Sequence, residues 1–295
     1  MSKIFSKKKK KHLNMLTMDN SSLIRAWQAC FKPEAGWRQE SIPGLAPILW
    51  CAEDNGACTY LTPSCGSTMD LARSLADGGR FPEMSWAAAV TQTTGRGQLG
   101  RKWETAAGNL CATIRLPDQA AGAGTLLPLT IGLLIADELK NHVPAPQIKW
   151  PNDILMGTKK TGGILVEERQ GMIMAGVGLN VEVVPSMDHH VEDYRIPACS
   201  LKEFGCRADA PALWRAIADR FNTDLMHLLS APDDLKDRMT QVLAFSGDSV
   251  IHENGTGEGR LVKISGIDTA GGLIVETPEG TRTIYSGQIN PRITI

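Results

Sequence analysis

Apolar positions along the middle of this chain fall into two spacings, and each spacing predicts its own kind of element. Dense apolar runs at 86–92, 109–116, 147–150, 162–168 and 172–179 predict strands. Between them the period lengthens to that of helices. Ser67-Thr68 offers capping hydroxyls to a helix that Gly78-Gly79 closes. The run from Leu126 to Ile135 is apolar nearly all round and continues into Asp137, Glu138 and Lys140. It is too short to span a bilayer and predicts a buried helix over about 125–140. Leu213, Ile217, Phe221, Leu225 and Leu228 mark one face of a later helix with Pro211 in its first turn. Leu235, Met239, Val242 and Leu243 mark the inner side of another, opened by Pro232, Asp233 and Asp234. From about Ser246 the texture changes to short β segments at 249–252, 259–267, 273–276 and 281–285, separated by glycines.

The first sixty residues carry less pattern. One helical run, Ser22 to Phe31, gives way to Pro33, Pro43 and Pro47, which predicts a mostly irregular stretch. Lys7 to Lys11 predict a disordered, solvated tail, and no apolar core follows to make a signal peptide. Met15 and Met18 are alternative starts. The resulting division is an N-terminal extension (1–60, partly disordered), a large α+β domain (61–244) and a small β module (245–295).

Composition narrows the function classes. Of 295 residues, 42% are hydrophobic and 21% charged, as in soluble globular proteins. The net charge of −1 provides no global basic field for nucleic acid or membrane, so any cationic site is local. The seven cysteines contain no C-x-x-C pair; Cys51, Cys58 and Cys65 recur every seven residues, a spacing that leaves a metal site as the minor alternative. They read as reduced thiols of a cytoplasmic protein. His189-His190, between Asp188 and Glu192, reads as a polar loop.

Gly95-Arg96-Gly97-Gln98-Leu99-Gly100 spells G-x-G-x-x-G, but a dinucleotide site needs a helix to open directly after the glycines. Here Arg101-Lys102-Trp103 and a turn-like Ala106-Ala107-Gly108-Asn109 lead into another strand. The unit is strand–loop–strand, with Arg96, Arg101 and Lys102 on an approachable backbone suited to covering an anion. Three further segments stand out: Lys149-Trp150-Pro151-Asn152-Asp153, Lys159-Lys160-Thr161-Gly162-Gly163-Ile164-Leu165-Val166-Glu167 and Gly176-Val177-Gly178-Leu179-Asn180. Cations, glycines, amides and a carboxylate in this mixture suit nucleoside-triphosphate chemistry, and many other anion-binding proteins as well.

In this order and spacing the four segments resemble those of the biotin protein ligases, of the monofunctional type that lacks a DNA-binding domain. The resemblance runs from about Ser67 to the C-terminus. It implies a biotin/lipoate ligase-like catalytic domain followed by an SH3-like β-barrel module. It also implies a two-step reaction, in which biotin and ATP give biotinyl-5′-adenylate and a lysine of a carboxylase biotin-carrier domain then takes the biotinyl group. By position, Lys160 and Arg96 are the implied catalytic residues. Ser67, Thr68, Met69, Gln92, Arg96, Gly97, Gln98, Lys160, Gly163 and Ile164 are the implied substrate-binding residues. Arg101, Trp103, Asn152, Asp153 and Asn180 fall on the ATP side, with Asp153 as a ligand for Mg2+. Two positions depart from the pattern: Gln98 stands where arginine is common, and Met69 where asparagine is common.

Plainer readings stand beside these. Ser67 and Thr68 serve equally as a helix cap, Lys159-Lys160 as a solvated turn, Asp153 as a cap, and Trp103 and Trp150 as core. A biotin-responsive repressor needs a winged helix-turn-helix, and the first sixty residues show no three-helix pattern, so no sequence-specific DNA binding is expected. A lipoate ligase should carry a different loop over 95–103. No membrane association is expected, and homodimerisation is left open.

Overall fold

A computed structural model describes residues 20–33, 36–42, 45–54, 56–185, 196–246, 248–252 and 260–291. The lysine run, Met15, Met18 and His189-His190 lie outside the described residues. The elements are α1 (Asn20–Cys30), β1 (Arg38–Ile42), β2 (Ala46–Asp54), β3 (Ala57–Cys65), α2 (Thr68–Asp77), β4 (Trp86–Gln92), β5 (Leu110–Arg115), α3 (Leu126–Leu139), β6 (Pro146–Lys149), β7 (Asp153–Met156), β8 (Lys159–Arg169), β9 (Met172–Leu179), α4 (Ala210–Leu229), α5 (Pro232–Val242), β10 (Asp248–His252), β11 (Arg260–Ile267), β12 (Leu273–Thr277), β13 (Gly280–Ile284) and β14 (Gln288–Pro291).

Nine strands form one sheet in the order β1-β2-β3-β4-β5-β9-β8-β7-β6. Every pairing in it is antiparallel except β3 with β4, which run parallel across the α2 connection. Because side chains alternate across a strand, Trp86, Ala88 and Val90 enter the larger core while Ala87 enters the smaller one. The larger core is roofed by α1, α3, α4 and α5; the smaller lies under α2. Leu127, Leu129, Ile131, Leu133, Leu134 and Ile135 are all buried, as expected of a helix that is apolar all round.

The remaining five strands make a small antiparallel sheet, in the order β13-β12-β11-β10-β14, that matches the expected C-terminal module. Its Val262, Ile264, Leu273 and Val275 join the larger core. Two side chains also tie the module to the large domain. Trp150 donates its indole N–H to the Gly271 carbonyl (3.0 Å), and Thr125 Oγ1 donates to the Ala270 carbonyl (2.5 Å).

One expectation fails. Residues 38–42, 46–54 and 57–60 are not an irregular extension; they supply β1, β2 and the start of β3 to the large sheet. The edge strand β1 reads Arg-Gln-Glu-Ser-Ile and is largely exposed, so it carries little apolar signal. Pro47 lies inside β2, where proline argues against a strand. The four-residue strands β7 and β14 were also too short to show a period. Among the described residues no helix is long and apolar enough to cross a membrane, and all seven cysteines are free thiols.

Candidate active site

The parallel pairing of β3 with β4 builds one end of a cleft. Cys65 and Gln92 are opposite each other in register, so the start of α2 emerges beside the end of β4. Ser67 caps α2, its Oγ accepting from the Met69 amide (3.2 Å). Gln92 Oε1 accepts from the Thr68 amide (2.7 Å) and the Thr68 hydroxyl (3.1 Å). That hydroxyl in turn accepts from Thr113 Oγ1 on β5 (2.9 Å). Capping and cleft lining are therefore done by the same residues.

Beyond β4 the chain makes a narrow loop closed on itself. Trp103 N–H donates to the Gly95 carbonyl (2.9 Å) and Gly97 N–H to the Arg101 carbonyl (2.7 Å), with Arg96 bridged to Lys102. A Cβ on Gly95 would lie 2.5 Å from the Trp103 carbonyl oxygen, so only glycine allows the closure. The tip, Gln98–Gly100, is a single 3-10 turn with Leu99 at φ +57° and 81% exposed. No helix opens after the loop; the next element is β5, so the loop itself presents no helix N-terminus. Arg96 turns back to Asp70 in the first turn of α2, donating from both terminal nitrogens at 2.7 and 2.6 Å.

The other end of the cleft rests on hairpins. In β6–β7, Lys149 faces Asp153 across the ladder, and its ammonium donates to Asp153 Oδ2 at 2.8 Å. Lys160, from β8, reaches Asp153 Oδ1 at 2.5 Å and stands 5.6 Å from the Trp103 ring centroid. Burial alone would raise the Asp153 carboxyl; the two ammonium groups outweigh it and hold the group below its ordinary range. Asn152 donates from Nδ2 to the Ile164 carbonyl (2.8 Å), and Asn180 N–H donates to the Thr161 carbonyl (2.7 Å). Gly178 lets the Trp103 indole lie against β9, since a Cβ there would fall 2.5 Å from Cε2.

These residues share one cleft of about 610 Å³ running across the sheet from β4 to β6. Every site residue named from the sequence lines it: Ser67, Thr68, Met69, Gln92, Arg96, Gly97, Gln98, Arg101, Trp103, Asn152, Asp153, Lys160, Gly163, Ile164 and Asn180. Trp150 does not; it is fully buried and points to the small module. Lys102, read from the sequence as one of the loop's cations, lines the cleft too, while sequence reasoning missed Lys149, Thr113 and Glu104, and also Gly287 and Gln288 from the small module. Lys149 was visible in the same five-residue segment, four residues before Asp153. Nothing in the sequence marked Gly287 and Gln288 as neighbours of residues 67–180.

The donor set does not fit a magnesium ion held by Asp153. Both of its oxygens accept from ammonium groups.

The sheet, its cleft and the glycine-rich loop define a ligase of the biotin/lipoate type. The Biotin/lipoate A/B protein ligase family matches residues 66–183, and the Biotin protein ligase C terminal domain matches 254–290. The chain is 31% identical over 225 residues to the biotin–[acetyl-CoA-carboxylase] ligase of Paracoccus denitrificans, covering 70% of this chain and 89% of that one. It is 30% identical over 247 residues to the bifunctional ligase/repressor BirA of Bacillus subtilis, covering 76% and 70%. The biotin protein ligase of Aquifex aeolicus, solved in complex with biotin and ATP, superposes with a TM-score of 0.68 at 23% identity, covering 79% of this chain and 97% of that one. The chain belongs to the biotin protein ligase family of enzymes.

Proposed function

We propose that this protein condenses biotin with ATP and transfers the biotinyl group to a lysine of a carboxylase biotin-carrier domain in the cytoplasm. In the first step a carboxylate oxygen of biotin attacks the α-phosphorus of ATP, and pyrophosphate leaves. In the second the neutral lysine amine of the acceptor attacks the acyl carbon, AMP leaves with the bonding electron pair, and the nitrogen gives up one proton to solvent. Magnesium enters as the counter-ion of the nucleotide. The observation that carries this reading is Lys160. Its ammonium lies at the cleft surface, held by Asp153 and flanked by Trp103.

Charge accumulates on the α-phosphate as the mixed anhydride forms, and a fixed ammonium beside it lowers that barrier without having to reorganise. Ser67, Thr68, Met69, Gln92, Gly97, Gln98, Gly163 and Ile164 are the groups for biotin. Arg101, Trp103, Asn152 and Asn180 are the groups for the nucleotide, and Arg96 sits at the base of the loop that covers both.

The test is transfer of labelled biotin to a purified carrier domain with ATP and magnesium. Labelling should depend on ATP and fall about 10²–10³-fold in Lys160→Ala, the usual loss for one preorganised charge-stabilising group. ATP-dependent labelling with lipoate or octanoate in place of biotin would overturn the substrate assignment.

A further inference from the structure

Three charged side chains line up at the floor of the cleft as ammonium, carboxylate, ammonium: Lys149, Asp153, Lys160. The first two are inside, at 9% and 8% exposure, while a third of the Lys160 side chain remains open to the cleft. The ladder explains how the third member gets there. Asp153 pairs with Gly163 and Ile154 with Gly162, but Leu155 pairs with Lys160, so Thr161 is an extra residue in β8. Opposed residues share a face and faces alternate. The extra residue therefore puts Lys160 on the same face as Asp153; in unbroken register it would oppose Met156, whose side chain belongs to the larger core. Re-aiming one side chain is a recurrent use of a β-bulge.

Charge counting then separates the roles. A Lys160–Asp153 pair alone would be neutral and would attract an anion weakly. Lys149 offsets the buried carboxylate from behind, which leaves one net positive charge, and it resides on the exposed member. Asp153 meanwhile restricts where that ammonium stands, with the Trp103 ring on another side.

We infer that Asp153 and Lys149 are positioning residues that aim and charge Lys160 for the ligation chemistry, and that Asp153 serves in this way rather than as a ligand for magnesium. This rests on the proposed ligase activity.

The experiment uses the double variant Lys149→Met/Asp153→Asn, which keeps the net charge of the cluster while removing the alignment. Biotin-dependent release of pyrophosphate from ATP is followed in wild type and variant across a magnesium titration. The double variant should lose about 10²-fold in kcat, the scale on which small misplacements act. Its KM for biotin and its half-saturating magnesium should stay within about threefold of wild type, a range too small to mark a lost ligand. Lys149→Arg, which keeps the rear charge, should retain activity far better than Lys149→Met.

If excess magnesium restores kcat in Asp153→Asn, the carboxylate is a metal ligand and the inference falls. A folded double variant with wild-type kcat also overturns it. Should the double variant fail to fold, Lys149→Met alone decides, because it leaves the Lys160–Asp153 pair intact but neutral. Unchanged kcat in that variant overturns the inference. A wild type that releases no pyrophosphate with biotin overturns the ligase reading itself, a result distinct from any of these.

Discussion

Arg96 lays both terminal nitrogens of its guanidinium against Asp70, tying the base of the cleft loop to the helix whose first residues line the cleft. Asp70 is well placed for this, since a carboxylate in the first turn of a helix is favoured by the helix dipole. The Arg96 hydrogen bonds hold its carboxyl below the ordinary range. The pair is partly exposed, so Asp70→Asn should lower global stability by less than about 1 kcal/mol. Its effect should be local. In the ligand-free protein, trypsin should cut after Arg96, Arg101 or Lys102 several-fold faster in the variant. Equal cutting rates would show that the pair does not hold the loop.

Gln98 occupies the tip of that loop, where the family resemblance sets an arginine. A neutral amide attracts the phosphate of an adenylate less than a guanidinium does, by about 1.5 kcal/mol for one charge-assisted hydrogen bond, or roughly tenfold in retention. The wild-type protein should therefore release part of its adenylate and label bystander lysines on a protein that is no acceptor. Gln98→Arg should reduce that labelling without reducing transfer to the carrier domain. Identical bystander labelling in the two proteins would reject the idea.

Gly178 supports the site from below. An alanine there would bring its Cβ to 2.5 Å from the Trp103 indole, and the ring would have to move. Overpacking of this sort destabilises by about 1–3 kcal/mol. Because Lys160 stands over that ring, Gly178→Ala should also cut kcat by at least about tenfold, as misplaced groups do. Unaltered kinetics, with only a lowered Tm, would separate Trp103 from the chemistry.

Part of the acid sensitivity should arise far from the cleft, at Glu138 on α3. Burial pushes its carboxyl up, but hydrogen bonds from Arg220, Asn141 and His142 pull it further down, leaving it below its ordinary value of 4.5. A carboxyl lowered by folding stabilises the folded state above its unfolded value and ceases to do so as pH falls through its folded value. Glu138→Gln should therefore cost about 1–2 kcal/mol at pH 7, with the gap to wild type narrowing below pH 4.5. Urea unfolding at neutral and acid pH reads this directly, and a gap independent of pH would refute it.

Much of this was legible before any coordinates. The helices from Ser67, Leu126, Pro211 and Pro232 begin and end near where caps, glycines and prolines put them, because these are local signals. The cleft was legible for a different reason: its residues sit in short segments whose order and spacing are distinctive. What escaped was non-local. The edge strand β1 is polar because one side of it meets solvent, and β7 has only four residues. Lys149 looks like any other lysine until the β6–β7 turn brings it against Asp153. The contribution of Gly287 and Gln288 depends on how the small module docks, and no periodicity encodes that.

Trp150 shows what that docking entails. Within five consecutive residues, Lys149, Asn152 and Asp153 face the cleft while the indole between them hydrogen-bonds Gly271 in the small module. The cleft floor and the inter-domain joint are thus carried by the same five-residue segment. A ligand that shifts Lys149 or Asp153 should therefore also disturb the Trp150–Gly271 hydrogen bond. The backbone amides around Gly271, well away from any reacting atom, become a natural place to listen for a ligand arriving.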